Sequence, residues 1–285
     1  ITAHFFNRKL RREKVDVVHA HTGHAAALAS FATLGTKIPI VVTRRVDFKL
    51  SGSFFSRLKY KKVALFIAIS DKVRESLIES GIPKEKIRLV PSGIDFSRFS
   101  SVQKKTRAKL GLSEDSIVIG QIAALAPHKD QSTLLKAFQK LAQLRPMGKL
   151  VLVGEGEKKS SLQSLAQELG IADKVLFTGF VEDPLSYLKM FNFFCLSSNM
   201  EGLGTSILDA MAIRIPVIAT RAGGIPELVQ DKVTGYLANP GNPDDLFSVL
   251  QQALNDTQNR EKIIQNAFQK ATEYDIAKTI QKTEL

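Results

Sequence analysis

The sequence predicts an α/β protein built as two doubly wound, Rossmann-like units on parallel sheets. Three observations carry this. Short β-branched apolar runs of four to six residues alternate with amphipathic stretches along all 285 residues. Glycines follow several of those runs, at the edge where open parallel sheets bind ligands. A polar stretch at 95–106 (DFSRFSSVQKKT) divides the pattern in two.

In the first block a helix is expected over 4–14. Strands are expected at 15–19 (VDVVH), 38–43 (IPIVVT), 64–69 (ALFIAI) and 87–90 (IRLV), with helices at 23–34, 54–63 and 71–80 between them. Ser70-Asp71 supplies an N-cap, and Gly81 then Pro83 stop that last helix. The block opens on a helix where a mononucleotide-binding half starts with a strand, so we expect an incomplete unit lacking roughly 60 residues. In the second block strands are expected at 117–122, 149–153, 174–177, 193–196 and 216–219. Helices are expected at 131–144, 158–169, 185–191, 206–213, 243–254 and 260–272. The domains read as 1–93, a linker at 94–112, 113–268, and a C-terminal helical segment at 269–285 expected to pack back towards the first domain.

Composition narrows function. One cysteine permits no intramolecular disulfide, and no apolar run reaches the ~18–20 residues of a bilayer span. These features, with no signal-like opening, predict a cytoplasmic protein, peripheral at most to the inner face of a membrane. Residues 1–100 hold 19 basic and 8 acidic side chains, the rest 21 and 20. The basic half implies an anionic partner there, or simply a solvated basic face. Zinc-finger, RNP and helix-turn-helix patterns are absent and the aromatics are mostly Phe, so no nucleic-acid partner is expected. No G-x-G-x-x-G dinucleotide fingerprint or D-x-D triplet occurs, and neither cofactor nor metal ligands are expected.

The most informative stretch is 201–212, EGLGTSILDAMA. Gly202 and Gly204 permit a tight turn, and Gly204, Thr205 and Ser206 open a helix whose free N–H groups suit an anion. Glu201 and Asp209 are both placed to face one cleft, as acceptors for sugar or ribose hydroxyls. An ordinary capped turn would look similar. However, glycines recur after other strands, at Gly154-Glu155-Gly156, at Gly179 and at 223–227 (GGIPE).

With EGLGTSILDAMA, PVIATRAGGIPELV and GYLANPGNPDDL in order, preceded by DVVHAH, FIAIS, VPSGID, VLVGEG and VLFTGF, the chain resembles the retaining group 1 (family 4) glycosyltransferases of the GT-B fold. The resemblance spans nearly the whole chain. It implies two Rossmann-like domains facing a cleft, and transfer of a sugar from a nucleotide-diphosphate sugar to a glycolipid or polysaccharide acceptor of the bacterial envelope, without an essential metal. It implies donor-sugar contact by Glu201 and diphosphate contact by Lys129. It also implies backbone contact from Gly202, Leu203, Gly204, Thr205 and Ser206, and a ribose contact from Asp209. Gly154 and Phe180 belong to the donor rim, with nucleobase contacts expected from backbone near Phe180 and Val181, and His21 matches the histidine beside the transferring sugar.

Three positions depart from the family pattern. Asp209 stands for a glutamate, Ala123 and Ala124 stand where an arginine is expected, and Ser92-Gly93 replaces Asn-Gly. His128 and Arg45 are the candidate replacement cations. His24, Arg44, Arg45 and Asp47 are assigned to the acceptor or phosphate side, with an Arg–Asp47 ion pair as the alternative. His19 and Cys195 are expected to be buried and structural. Arg57, Lys59, Lys61 and Lys62 beside Phe54, Phe55 and Tyr60 suit an anionic membrane surface or a solvated face. The competing functions are a nucleotide-sugar 2-epimerase and a non-enzymatic basic binding module.

Overall fold

The computed structural model describes residues 2–50, 59–105 and 107–284. Two compact units result, Ile1–Pro91 and Ser92–Leu285. In the first, α1 (Thr2–Arg12) leads to β1 (Val18–Ala20), α2 (Gly23–Ala32), β2 (Ile40–Arg44), β3 (Val63–Ala68), α3 (Asp71–Glu79) and β4 (Ile87–Leu89). The four strands form one parallel sheet in the order β1-β2-β3-β4. Ser70 caps α3 by accepting from the Val73 N–H, as its sequence implied. Of the helix expected over 54–63, Phe54, Phe55 and Arg57 lie outside the described residues, and Val63 instead opens β3.

The second unit carries β5 (Ile117–Ile122), α4 (Gln131–Leu144), β6 (Gly148–Val153), α5 (Lys159–Glu168), β7 (Val175–Gly179), α6 (Pro184–Leu188), β8 (Phe193–Leu196), α7 (Thr205–Ala212), β9 (Val217–Thr220), α8 (Ile225–Leu228), β10 (Tyr236–Ala238), α9 (Pro243–Asn255), α10 (Arg260–Thr272) and α11 (Ile276–Thr283). Its six parallel strands run β10-β9-β8-β5-β6-β7. Successive strands build outward from β5 to one edge, then from β8 to the other. The order therefore reverses between β5 and β8, and the loops that leave these two strands flank the switch point where doubly wound sheets open a crevice.

The core of this unit forms where helices cover the sheet. In α4, Leu134, Leu135, Phe138 and Leu141 recur at helical spacing and are all buried against Leu150, Leu152, Leu246 and Leu250. β8, Phe-Phe-Cys-Leu, is buried at every position, as a central parallel strand must be. Cys195 within it is free and fully enclosed, and burial pushes its thiol up to about 12, as the inert structural role requires.

Residues 94–112 lie within the second unit. Ile94 exchanges backbone hydrogen bonds with Tyr274 and Ile276, which joins the start of the unit to the start of α11. The Arg107 side chain, only 5% exposed, donates to the carbonyls of Met190, Glu114 and Ser116 and to Asn192 Oδ1. Five donors fixed in a planar fork suit such a convergence of acceptors. Sequence distances of 83 and 85 residues to two of these partners explain why a polar run looked like a tether.

Candidate active site

Three consecutive loops at the carboxyl edge of the second sheet are joined to one another. After β5 the chain makes a short 3-10 turn, Pro127–Lys129, and then Asp130 adopts the left-handed conformation at φ 46°. Asp130 caps α4 through the Thr133 N–H and hydroxyl, so the turn that presents Lys129 is set by the residue after it. After β8, Ser197 shares its hydroxyl proton between the carbonyls of Lys129 and Asp130 and accepts from Gln121 Nε2. The Asn199 N–H donates to the His128 carbonyl at 3.0 Å. After β9, the Gly224 N–H donates to the Glu201 carbonyl at 2.9 Å, and the Thr220 hydroxyl bonds back to Ser198 O.

These bonds bring Lys129 and Glu201 together. Lys129 Nζ forms an ion pair with Glu201 Oε2, and the two side chains are 17% and 13% exposed. The Ser198 hydroxyl donates to the same carboxylate oxygen at 3.3 Å. Gly204 follows at φ 91°, where a side chain would be strained, with its missing Cβ position 3.1 Å from Ile207 Cδ1 and 3.6 Å from Glu201 Cγ. It forms the N-cap of α7 and no side chain caps that helix. The amides of Thr205 and Ser206 are thus the unsatisfied first donors of α7, with the positive end of its dipole behind them. Gly202 and Leu203 are buried, so the Leu203 side chain is not presented at the surface of this loop.

Asp209 lies one turn into α7, largely enclosed, and its Oδ1 finds no hydrogen-bond partner among the described residues. Burial pushes its carboxyl up to about 6, while the Arg98 guanidinium pulls it back. An enclosed carboxylate oxygen without a donor fits the ribose hydroxyl that the resemblance placed here. The raised value also makes a stability prediction. The native state holds this proton more tightly than the unfolded chain, so stability falls as pH rises from about 4 to 6. Asp209→Asn is expected to raise stability at pH 7.5 by up to about 3 kcal/mol and to add nothing at pH 4. Melting curves at the two pH values check this; an equal gain at both would contradict it.

The Gly154 N–H donates to the Gly179 carbonyl at 3.0 Å, which joins the loop after β6 to the end of β7, and Phe180 beyond it is 77% exposed. Ala123, one of the two positions where the family arginine was expected, donates its N–H to Val153 O and turns its carbonyl towards Gly154.

In the first unit the residues assigned to an acceptor behave differently from one another. His19 differs from the sequence reading: among the described residues it is exposed, on the three-residue β1. Its Nε2 lies 2.7 Å from Thr43 Oγ1 and its ring stacks on His21 with centroids 4.2 Å apart. Partial desolvation of its ring, then the neighbouring His21 and Arg45, lower its pKa below the usual histidine range. His21 and Arg45 are exposed just beyond β1 and β2, and His24 is exposed in the first turn of α2. Arg44 donates to the Phe48 carbonyl at 2.6 Å and stacks over the Phe48 ring, with Asp47 a favourable neighbouring charge. Tyr60 is largely buried, its ring centroid 5.7 Å from that of Phe66, and the Lys59 ammonium lies 4.2 Å over the same ring. No described helix is long and apolar enough to cross a membrane.

Sequence reasoning did not single out Ser198 or Arg98. Each acts across a gap in sequence, and nothing in its local pattern announces it.

The family model for glycosyl transferases group 1 matches residues 102–270, and that for glycosyltransferase family 4 matches residues 2–98. The chain belongs to the group 1 glycosyltransferases. This group 1 glycosyltransferase is 30% identical over 276 residues to the N-acetyl-alpha-D-glucosaminyl L-malate synthase of Bacillus anthracis, covering 92% of this chain and 70% of that protein. It is 26% identical over 264 residues to the UDP-Gal:alpha-D-GlcNAc-diphosphoundecaprenol alpha-1,3-galactosyltransferase of Escherichia coli, covering 87% and 68%. Among solved structures it is similar to Anabaena HepE in complex with UDP-glucose, with a TM-score of 0.88 at 26% identity, covering 99% of this chain and 80% of that one. The two parallel-sheet, Rossmann-like units are those of the GT-B glycosyltransferases.

Proposed function

We propose that this glycosyltransferase takes its sugar from a nucleotide-diphosphate donor held at the β5–β8 switch point, and transfers it with retention of configuration to an anionic glycolipid or polysaccharide of a bacterial envelope. The ion pair of Lys129 with Glu201, beside the uncapped start of α7, carries this reading. In it, the Lys129 ammonium and the amides of Thr205 and Ser206 neutralise the departing diphosphate, Glu201 accepts from sugar hydroxyls, and Asp209 accepts from the ribose. The anomeric carbon exchanges its bond to the phosphate oxygen for one to the acceptor oxygen, and the acceptor proton leaves with the diphosphate. No step in this reading needs a metal ion. HepE crystallised with UDP-glucose supports the donor class.

The acceptor reading rests on charge. The 19 basic against 8 acidic side chains of the first hundred residues suit a negatively charged acceptor. A diphosphoundecaprenol-linked sugar appears in the name of the E. coli relative. The L-malate in the name of the B. anthracis relative favours a second reading, a small carboxylic acid as acceptor.

Thermal-shift titration with UDP-, GDP- and ADP-sugars tests the donor. One of the three is expected to raise the melting temperature, since a ligand of the native state alone stabilises it; no shift with any of them would overturn the reading. Cosedimentation with anionic vesicles at low and high salt separates the two acceptors: salt-sensitive binding is expected for the glycolipid, and none for the small acid. An epimerised sugar formed without any acceptor would replace transfer by epimerisation.

A further inference from the structure

We propose that the Lys129–Glu201 pair distinguishes the nucleotide sugar from the nucleoside diphosphate left after transfer, and so favours release of the spent nucleotide. This rests on the donor reading above and deepens it.

Without ligand, the two charges satisfy each other in an enclosed place. The Glu201 carboxylate is not free to turn away. Lys129 and Ser198 both donate to Oε2, and the Gly224 N–H holds the backbone carbonyl of the same residue. Whatever binds must therefore meet this carboxylate where it stands.

A diphosphate seated on the start of α7 draws on the same ammonium. Lys129 has three donors but a single charge, which is then shared between the phosphates and Glu201. When the diphosphate carries its sugar, hydroxyls donate to Glu201 and restore its hydrogen bonds, and the esterified phosphate carries one negative charge fewer. When the nucleoside diphosphate binds alone, no hydroxyl makes up for the shared ammonium: Glu201 keeps the neutral Ser198 donor and a divided claim on Lys129, and faces an additional negative charge in a largely shielded place. An enclosed acceptor left with poorer partners weakens the ligand that causes it, here by ~10-fold. The free diphosphate bears this penalty and the donor does not.

Glu201→Gln removes the charge with little change of shape and supplies a donor to the phosphate. Titration calorimetry with UDP, GDP and ADP and their glucose esters, on wild type and variant, reads the outcome. For the nucleotide that binds, Glu201→Gln is expected to tighten the free diphosphate by ~10-fold and not to tighten the glucose ester, so the preference for donor over diphosphate collapses. Ser198→Ala is expected to move the ratio the other way, by weakening the free diphosphate more than the donor. Both variants are checked by thermal melting, and Lys129→Gln is expected to weaken both ligands. An unchanged ratio in Glu201→Gln and in Ser198→Ala, with wild-type binding intact, overturns the inference alone. If none of the three nucleotides binds the wild type, the donor reading falls and takes the inference with it.

Discussion

Lys129→Ala and Glu201→Ala each lower sugar transfer by ~10²-fold or more, measured as release of nucleoside diphosphate from the donor. The magnitude follows from where the two side chains stand. Both are largely shielded from water, and in the proposed mechanism they stand where negative charge accumulates as the sugar–phosphate bond breaks. Lys129 is held by the left-handed Asp130 turn and by Ser197, so its charge is oriented before the reaction begins. The family arginine that would share the work is replaced by Ala123 or Ala124, which leaves more of the neutralisation to Lys129. Alanine at either position also strands the other partner as an unpaired, enclosed charge, so a loss of stability of about 3–5 kcal/mol accompanies the loss of rate. The conservative Lys129→Arg and Glu201→Gln variants separate the two effects. Near-normal turnover in both alanine variants would remove the assignment.

Gly154→Ala has the largest expected effect on stability away from the ion pair. A Cβ at Gly154 would stand 2.1 Å from the Ala123 carbonyl oxygen, and the residue sits at φ 142°, which side chains rarely adopt. The obstruction is backbone at the end of β5, which cannot rotate away. Its movement would also disturb the loop that leads to Lys129. Overpacking and backbone strain together cost ~3 kcal/mol or more. Gly170→Ala isolates the dihedral part, because that glycine is also left-handed, at φ 66°, but has nothing within 4 Å of its Cβ position; it should cost only ~1–2 kcal/mol. Denaturant midpoints of the two variants compare them directly, and equal losses would refute the contact argument.

Much of this arrangement was legible in sequence because its causes are local. β5 at 117–122 and β8 at 193–196 are read to the residue, since short β-branched or aromatic runs bounded by polar residues leave little freedom. Gly204 is legible because a positive φ at the start of a helix calls for glycine. The resemblance placed Lys129 and Glu201 at one donor, but their pairing, across 72 residues, appears only in the structure. What was illegible depends on distant partners. The segment around Arg107 reads as polar tether until acceptors from Met190 and Asn192 surround it. His19 alternates with apolar neighbours and reads as interior, yet among the described residues it is exposed, beside Thr43 and His21. Tyr60 reads as a surface aromatic among lysines, and only the position of Phe66 shows it to be core. β10, three residues long, lacks the length that marks a strand.

The central claim is that the crevice between the β5 and β8 loops cradles the diphosphate of a sugar donor. A crystal structure with a bound nucleotide sugar tests it most directly. The diphosphate should rest on the amides of Thr205 and Ser206 within hydrogen-bond distance of Lys129 Nζ, with a sugar hydroxyl on Glu201 and the ribose on Asp209. A nucleotide sugar bound elsewhere in the chain, with the Lys129–Glu201 pair left closed, would contradict it.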